Sequence, residues 1–216
     1  IFSVEEIDMS EGSWLILAQA GYQLQPVAVE LRSSGYLFNN RGHRSISEKI
    51  SDAVNGWEQL RKGKEVTGAV ARKIYSYMST KDRIARGFKT LPTLEDTDFV
   101  NLETLIADHG LLATTDMVWH IAMDRMPESE RAYIIAMLRR GERFNGEARI
   151  TVSTIHGAKG GEADNVVLFT DLSPAAETQM NINPDDTHRV FYVGVTRAKQ
   201  NLFIVEPQDF TRSYDL

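Results

Sequence analysis

Strand-length apolar runs lie near the two ends of this 216-residue chain and are missing from its middle. In the N-terminal part, Trp14–Ala18 and Tyr36–Phe38 have the length and composition of strands. Between them, Gln25–Ser34 carries apolar residues at helical spacing and is followed by Gly35, a residue that commonly ends a helix. A strand, a helix and a second strand in this order form the β-α-β unit of a parallel sheet.

The strand pattern resumes in the C-terminal part. Arg149–Thr154 is rich in β-branched residues, and Asn165–Thr170 is an apolar run of strand length. A helix is predicted from Pro184 to Lys199, because a proline followed by two aspartates is a good helix start. Leu202–Val205 is predicted to be the last strand. Both ends of the chain are therefore predicted to belong to one α/β layer.

The hundred or so residues between these ends are predicted to be an all-helical insertion. Five periodic segments follow one another there: Ile46–Leu60, Val66–Tyr77, Leu102–Ala107, Thr114–Met123 and Ser129–Arg139. The chain is thus expected to divide into residues 1–44, 45–145 and 146–216. Residues 1–44 and 146–216 would form the parallel sheet with its flanking helices, and residues 45–145 a subdomain with a small core of its own.

Composition excludes several classes of protein. The chain is 42% hydrophobic and 25% charged, which is ordinary for a globular protein with a buried core. No apolar run approaches the ~18 residues of a membrane span, so no membrane partner is expected. The absence of cysteine excludes disulfides and thiolate zinc sites, which favours a reducing compartment such as the cytoplasm. The five histidines are scattered, so no metal site is expected. Since the chain starts with Ile1, we expect it to be part of a longer protein.

Charge is distributed unevenly along the chain. The net charge is -6, yet residues 39–90 hold 12 basic and 5 acidic residues. Such a segment is either a surface that faces phosphates or a set of solvated helix faces. If it binds DNA, the first candidates are Arg61, Lys62, Lys64, Arg72 and Lys73.

Two polar stretches are candidates for chemistry, because ligands of open parallel sheets lie beyond the carboxyl ends of the strands. The first, Ser153–Glu162, follows a predicted strand and is rich in glycine, which lets backbone approach a ligand closely. The chain contains no Walker A sequence. The second stretch is Phe191–Lys199. If it is helical, Arg189 and Arg197 share a face ~12 Å apart. From the residues alone, Arg197 is either a phosphate ligand or half of a structural ion pair.

Together these stretches resemble two linked motifs of one enzyme family. Thr-x-His-x-x-Lys-Gly-x-Glu at residues 154–162 and Tyr-Val-Gly-Val-Thr-Arg-Ala-Lys at residues 192–199 are similar to motifs V and VI of the UvrD/Rep-type superfamily 1 helicases. The run Asp185–Tyr192 resembles the acidic lead-in to motif VI. The close match covers Ile150–Val205, about a quarter of the chain. The resemblance implies a RecA-like fold for the sheet, as the second motor domain of such a helicase.

The resemblance also implies how ATP is bound. In this family ATP lies between the second motor domain and a preceding one, whose Walker A and B motifs hold Mg²⁺. Arg197 matches the arginine finger that reaches the γ-phosphate and would be the catalytic residue of this chain. Glu162 matches the acid that contacts the nucleotide's sugar, with Gly160 beside it in the same loop. The alternative for Glu162 is a surface carboxylate.

Other matched positions face DNA or couple it to ATP. Thr154 and His156 match positions facing single-stranded DNA, and Lys159 is a further candidate in the same loop. The alternative for His156 is a core histidine whose hydrogen bonds are satisfied. Tyr192 could touch nucleotide or DNA, but a core aromatic is the role we expect.

Motif IV departs from the family pattern. The family has an aromatic residue followed by arginine after its first strand, whereas alignment on Leu15–Leu17 puts Ala18 and Gln19 there. Gln19 is therefore the expected nucleotide contact, without the charge of arginine. In this alignment adenine would stack on Tyr22, or the chain has no residue for that stacking. The helical insertion occupies the place of the family's accessory subdomain, and its basic residues could follow phosphates.

The sequence therefore predicts the C-terminal motor region of an ATP-dependent DNA helicase of repair or replication, with 3′→5′ polarity taken from the family. Its expected partners are single-stranded or forked DNA and the N-terminal RecA-like domain of the same parent chain. Alone, the chain should be almost inactive, since Walker A and B and the Mg²⁺ ligands would lie in the preceding domain. Two alternatives stay open: a non-catalytic nucleic-acid-binding module derived from a helicase, and the motor portion of a helicase–nuclease.

Overall fold

The computed structural model describes residues 3–158 and 160–216, and these form two compact units. One unit combines the chain up to Ser45 with Ile135–Leu216, and the other is Ile46–Ile134. The second unit starts one residue after the predicted start of the insertion and ends well before the predicted end at residue 145.

The helices and strands are numbered here in chain order. They are β1 (Trp14–Ala18), α1 (Gln25–Ser33), β2 (Phe38–Asn40), β3 (His43–Arg44), α2 (Glu48–Arg61), β4 (Val66–Thr67), α3 (Gly68–Ser76), β5 (Phe99–Val100), α4 (Leu102–Asp108), α5 (Trp119–Ala122), α6 (Glu128–Arg139), β6 (Ile150–Thr154), β7 (Ala163–Phe169), α7 (Pro174–Ile182), α8 (Pro184–Val195) and β8 (Ala198–Val205). Single turns of 3-10 helix lie at Val4–Glu6 and Gly21–Leu24.

The first unit is built on a six-stranded sheet in the order β3-β2-β6-β1-β7-β8. Every neighbouring pair is parallel except β2 and β3, which form an antiparallel hairpin. β6, from the C-terminal part of the chain, lies between β1 and β2, so the two strands of the N-terminal β-α-β unit are parallel but not adjacent. The predicted parallel α/β sheet is confirmed.

Helices cover both faces of this sheet. On one face, Ile16 packs with Val27 and Leu31 of α1. On the opposite face, Leu17 packs with Phe191 of α8. Ile16 and Leu17 are both fully buried, which explains why β1 is apolar along its whole length instead of alternating.

Side-chain caps set the start of several helices. The hydroxyls of Ser47, Thr67 and Ser173 each accept a hydrogen bond from a backbone N–H in the first turn of α2, α3 and α7, respectively. α7 was not predicted, although Ser173 and the proline that follows it at the first helical position are its sequence signals. The helix has few apolar residues in a regular pattern, so periodicity alone did not reveal it.

The second unit packs its helices around large buried side chains. Trp57 of α2 is buried and donates a hydrogen bond from Nε1 to the carbonyl oxygen of Met117 at 2.8 Å. Tyr75 of α3 is also buried, and its hydroxyl bonds the carbonyl oxygen of His109 at 3.1 Å.

Two predictions for the insertion were wrong in detail. It is not all-helical, because β4 and β5 form a short antiparallel ladder that pairs Val66 with Val100. The predicted helix over Thr114–Met123 is reduced to the single turn of α5. Its first residues form a turn instead, in which the Thr114 hydroxyl bonds the Asp116 carboxylate.

Candidate functional site

The first motif stretch runs from the carboxyl edge of the parallel sheet to its amino edge, and the second reaches the amino edge. Thr154 ends β6 at the carboxyl edge, as predicted. Gly161 and Glu162 directly precede β7, and Arg197 directly precedes β8, so these residues lie at the amino edge. The second stretch was expected at the carboxyl edge as well, and that expectation was wrong. A helix that connects two parallel strands returns the chain to the amino edge, and the end of α8 is therefore there.

Arg197 lies outside the helix that was predicted to contain it. α8 ends at Val195, and the backbone oxygen of Arg197 accepts a hydrogen bond from Ala163 N at 3.1 Å, where β7 and β8 begin to pair. Arg197 therefore does not share a helix face with Arg189. The reason is a long-range one, since pairing with Ala163 draws the chain into a strand two residues after the helix.

The guanidinium of Arg197 is held by neutral groups. Its Nε donates to the carbonyl oxygen of Val193 at 2.9 Å, and Nη1 lies 3.5 Å from the carbonyl oxygen of Gly161. Within residues 3–158 and 160–216, no carboxylate forms an ion pair with it. The half-buried side chain thus keeps a net positive charge at the sheet edge, which is the arrangement that an anionic ligand would complete.

The loop before β7 places a carboxylate beside this arginine. Glu162 is exposed and directly follows Gly161, whose carbonyl oxygen is the one near Arg197. Gly160 has a φ of 86°, in the left-handed region that favours glycine, and nothing lies within 4 Å of where its Cβ would be. The structure therefore brings Gly160, Glu162 and Arg197 together at one edge, with exposed backbone between them.

A wide cleft of about 920 Å³ extends from this loop across one face of the sheet. Glu162 lines it near the amino edge, and Thr154 lines it at the carboxyl edge. The Thr154 hydroxyl accepts a hydrogen bond from Gly157 N at 3.1 Å, which fixes the start of the loop. A Cβ at Gly157 would come within 2.7 Å of Ser153 Oγ, so a larger residue there would force the Ser153 side chain to move.

His156 lies beyond the carboxyl end of β6 with an exposed side chain, so the alternative of a buried core histidine is wrong. The residue before it, Ile155, is buried instead. Tyr192, which was expected in the core, is 69% exposed, and Phe191 takes the core position instead. Lys159 lies outside the described residues.

A comparison with known protein families matches residues 117–208 to the UvrD-like helicase C-terminal domain. The match includes the loop with Thr154 and Glu162, the helix α8 and Arg197. Over these residues the chain is similar to the C-terminal domain of UvrD-like helicases. No match to the chain was found among curated proteins.

Gln19 does not lie with the other expected nucleotide contacts of the first unit. It follows β1 at the carboxyl edge, where its Oε1 accepts a hydrogen bond from Ser173 N at 3.4 Å and it lines a small cleft with His156. Arg197 precedes β8 at the amino edge, and the strand between the two edges is about 20 Å long at ~3.3 Å per residue. The two side chains therefore cannot reach the same phosphate group. Tyr22, the alternative for adenine stacking, is 56% exposed at the carboxyl edge too.

Acidic partners neutralise most of the cations that were predicted to bind DNA in the insertion. Arg61 Nη1 lies 2.8 Å from Glu58 Oε2, Arg72 Nε lies 2.7 Å from Asp96 Oδ1, and Lys73 Nζ lies 2.6 Å from Asp52 Oδ2. The hydrogen bond to Asp52 raises the pKa of Lys73 above its usual range. Lys62 and Lys64 are exposed and form no ion pair in the part of the chain that the structure describes. Three of the five candidate cations are thus paired with carboxylates inside the unit.

In the described chain no helix is long and apolar enough to cross a membrane. The same residues hold no group of three or more His, Cys, Asp and Glu side chains that could bind a metal ion.

A hydrogen-bonded pair that sequence reasoning missed joins two strands at the amino edge of the sheet. Asp164 Oδ2 accepts hydrogen bonds from Ser13 Oγ at 2.7 Å and from Ser13 N at 2.9 Å. These bonds, the side-chain one first, lower the pKa of Asp164. The pair joins the start of β7 to the residue before β1, next to Glu162. Residues 151 positions apart carry no local sequence signal for such a pair.

Replacing Ser13 with alanine should lower the stability of the chain relative to the wild type, and this loss should be larger at pH 7 than at pH 3. A carboxylate with a depressed pKa in the folded state stabilises the fold above its unfolded pKa of about 4, and this contribution is lost as the pH falls through the folded pKa. Thermal unfolding followed by circular dichroism at the two pH values measures the difference. Ser33→Ala is the control, because the Ser33 hydroxyl bonds a backbone oxygen that does not titrate. A loss in Ser13→Ala that does not change with pH would contradict the linkage.

Proposed function

We propose that the chain is the C-terminal motor region of an ATP-dependent DNA helicase, with 3′→5′ polarity as in the family that it resembles. The observation that carries the proposal is Arg197, a guanidinium at the sheet edge beside Glu162 that has no carboxylate partner among the described side chains. A fixed positive charge at such a position stabilises the negative charge that develops on a transferring phosphoryl group.

The residues at the amino edge fit one side of a nucleotide. The Nη groups of Arg197 would bind the γ-phosphate, and the exposed Glu162 carboxylate would accept hydrogen bonds from the sugar hydroxyls. The open backbone at Gly160 allows close approach. The chain has no Walker A sequence and its described residues have no acidic cluster, so Mg²⁺ and the phosphate cradle would come from the N-terminal RecA-like domain. ATP would bind between the two domains.

DNA would be held at the opposite edge of the sheet. Thr154 ends β6 and the exposed His156 lies beyond it, and Lys159 would contribute from the stretch of sequence that follows. This loop, residues 155–162, runs from the carboxyl edge to the amino edge, where Glu162 and Arg197 lie. It therefore links the DNA side directly to the ATP side, so that closure of the ATP cleft would move the residues that hold single-stranded or forked DNA.

One observation favours a second function, a nucleic-acid-binding module without catalysis. The sheet edge that holds Arg197 does not also hold Gln19, so the second phosphate contact of motif IV is missing from this edge. In such a module the nucleic-acid residues would act without ATP hydrolysis.

Single-strand-stimulated ATP hydrolysis separates the two functions. We expect this chain alone to hydrolyse ATP almost not at all, and the same chain together with its Walker-bearing domain to hydrolyse it in response to single-stranded DNA. Hydrolysis by the complete motor supports the helicase. If the complete motor binds single-stranded DNA but does not hydrolyse ATP, the module is correct; motor-like hydrolysis by this chain alone would contradict both.

A further inference from the structure

The base and the tip of the Arg197 side chain are held differently. Its Nε donates to the carbonyl oxygen of Val193 at 2.9 Å, which is an ordinary hydrogen-bond length. The two Nη groups make longer contacts, at 3.3 Å to the hydroxyl oxygen of Thr196 and at 3.5 Å to the carbonyl oxygen of Gly161. The base is therefore fixed, whereas the direction of the two Nη groups depends on Thr196 and Gly161.

The end of α8 explains why Nε is bound at this short distance. The last carbonyl oxygens of a helix have no partner inside it, and Val193 is two residues from the end of α8 at Val195. The backbone N–H of Arg197 bonds the carbonyl oxygen of Gly194 at 3.2 Å, so it does not continue the helical pattern to Val193. The Val193 oxygen is thus open to side chains, and the negative end of the helix dipole favours a cation there.

The hydroxyl of Thr196 is oriented as an acceptor for Arg197. A threonine hydroxyl has one proton to donate, and its oxygen can accept. The Thr196 hydroxyl donates its proton to the carbonyl oxygen of Val193 at 3.1 Å. Its oxygen is therefore available to Nη2 of Arg197, and the Val193 oxygen holds both side chains. Thr196 is exposed, so its hydroxyl fills no position in the core.

The backbone around Arg197 is fixed to the sheet on both sides. After the helix, the backbone oxygen of Arg197 accepts the hydrogen bond from Ala163 N at 3.1 Å. Before it, a Cβ at Gly194 would lie 3.1 Å from Cδ1 of Leu168, so the end of α8 packs directly on β7. The freedom that remains is in the tip of the Arg197 side chain, where Thr196 contacts it.

We propose that Thr196 is a positioning residue for ATP hydrolysis, because its hydroxyl oxygen sets the direction in which the Nη groups of Arg197 meet the transferring phosphoryl group. This inference rests on the proposed function, to which it adds a residue that touches neither ATP nor DNA. A donor that is already aimed needs no reorganisation in the transition state. Loss of the hydroxyl should therefore lower turnover and leave the binding of ATP nearly unchanged.

Replacing Thr196 with valine in the complete motor tests the proposal, since valine keeps the shape of the side chain and lacks the hydroxyl. The kcat of single-strand-stimulated ATP hydrolysis should fall about three- to tenfold, as expected when one hydrogen bond is lost. The KM for ATP should stay within about twofold. Thr196→Ala, a second variant without the hydroxyl, should show the same loss, and Thr196→Ser should recover wild-type turnover because it restores the acceptor.

A double variant gives the readout that a merely structural role would not produce. Arg197→Ala has no guanidinium to direct, so adding Thr196→Val to it should change the residual turnover by less than about twofold. The matched control is Thr178→Val in α7, which removes an exposed hydroxyl that also donates to a helix carbonyl oxygen, that of Pro174 at 2.9 Å. Thr178→Val should hydrolyse ATP like the wild type, and thermal unfolding should show similar small losses of stability in both valine variants.

Several outcomes would overturn the role of Thr196 and leave the proposed helicase intact. These are wild-type turnover in Thr196→Val, an equal fractional loss with and without Arg197, and an equal loss of turnover in Thr178→Val. A complete motor that does not hydrolyse ATP, or one in which Arg197→Ala hydrolyses it like the wild type, would overturn the role of Thr196 together with the proposed role of Arg197.

Discussion

Replacing Arg197 with alanine in the complete motor should reduce single-strand-stimulated ATP turnover by ~10³-fold or more and leave DNA binding largely unchanged. The guanidinium lies beside Glu162 at the amino edge, whereas Thr154 and His156 lie at the carboxyl edge. The substitution therefore removes charge from the proposed ATP side only. Steady-state hydrolysis and anisotropy with labelled single-stranded DNA measure the two activities in the same preparation.

Two further variants serve as controls for this result. Arg197→Lys keeps the charge but loses the planar fork, so it should recover part of the turnover at most. Arg189→Ala removes an exposed arginine of α8 that pairs with Asp186 at 3.3 Å, and it should hydrolyse ATP like the wild type. Equal rates for Arg197→Ala and the wild type would show that Arg197 is not the arginine finger.

Replacing Gly35 with alanine should lower the free energy of unfolding by about 3 kcal/mol or more. Gly35 has a φ of 73°, and a Cβ there would lie 2.5 Å from the backbone carbon of Ala136 and 2.8 Å from Met137 N. These are backbone atoms of α6, which cannot rotate away as the end of a flexible side chain can. The substitution adds this overlap to the cost of a positive φ. Denaturant unfolding followed by circular dichroism measures the loss.

Gly141→Ala separates the two contributions. Gly141 also has a positive φ, of 86°, but nothing lies within 4 Å of where its Cβ would be. Gly141 belongs to the same unit as Gly35, so both variants report on the same unfolding. Gly141→Ala should lower the free energy of unfolding by about 1 kcal/mol, the contribution of the backbone conformation alone. If both variants lose the same stability, the close approach between Gly35 and α6 contributes nothing.

Local sequence signals predicted the sheet well because its strands carry them. β1 was predicted at its observed bounds, and β6 and β7 within two residues, since runs of buried apolar or β-branched residues have few alternatives. The position of Arg197 could not be predicted in this way. Helical periodicity continues past Val195, and it is pairing with Ala163, over thirty residues earlier in the chain, that turns the segment into β8.

The candidate site shows the same division between local and long-range information. The resemblance to the two helicase motifs implied that Glu162 and Arg197 belong to one site, and the structure brings them to one edge. Counting charges could not predict which cations of the insertion are free, because the partner of Arg72 is Asp96, outside the basic segment.

The position of β6 between β1 and β2 also determines the order in which the sheet can form during synthesis. β1 and β2 are not hydrogen-bonded to each other, since each pairs with β6. Neither can pair in the sheet through β6 until Ile150–Thr154 has been synthesised, more than a hundred residues after β2. The unit Ile46–Ile134 lies wholly within this interval, and its contacts are shorter in sequence. It can fold first and shorten the loop that must close before β6 joins its neighbours. Variants that weaken Trp57 or Tyr75 would then delay assembly of the sheet, although neither side chain belongs to it.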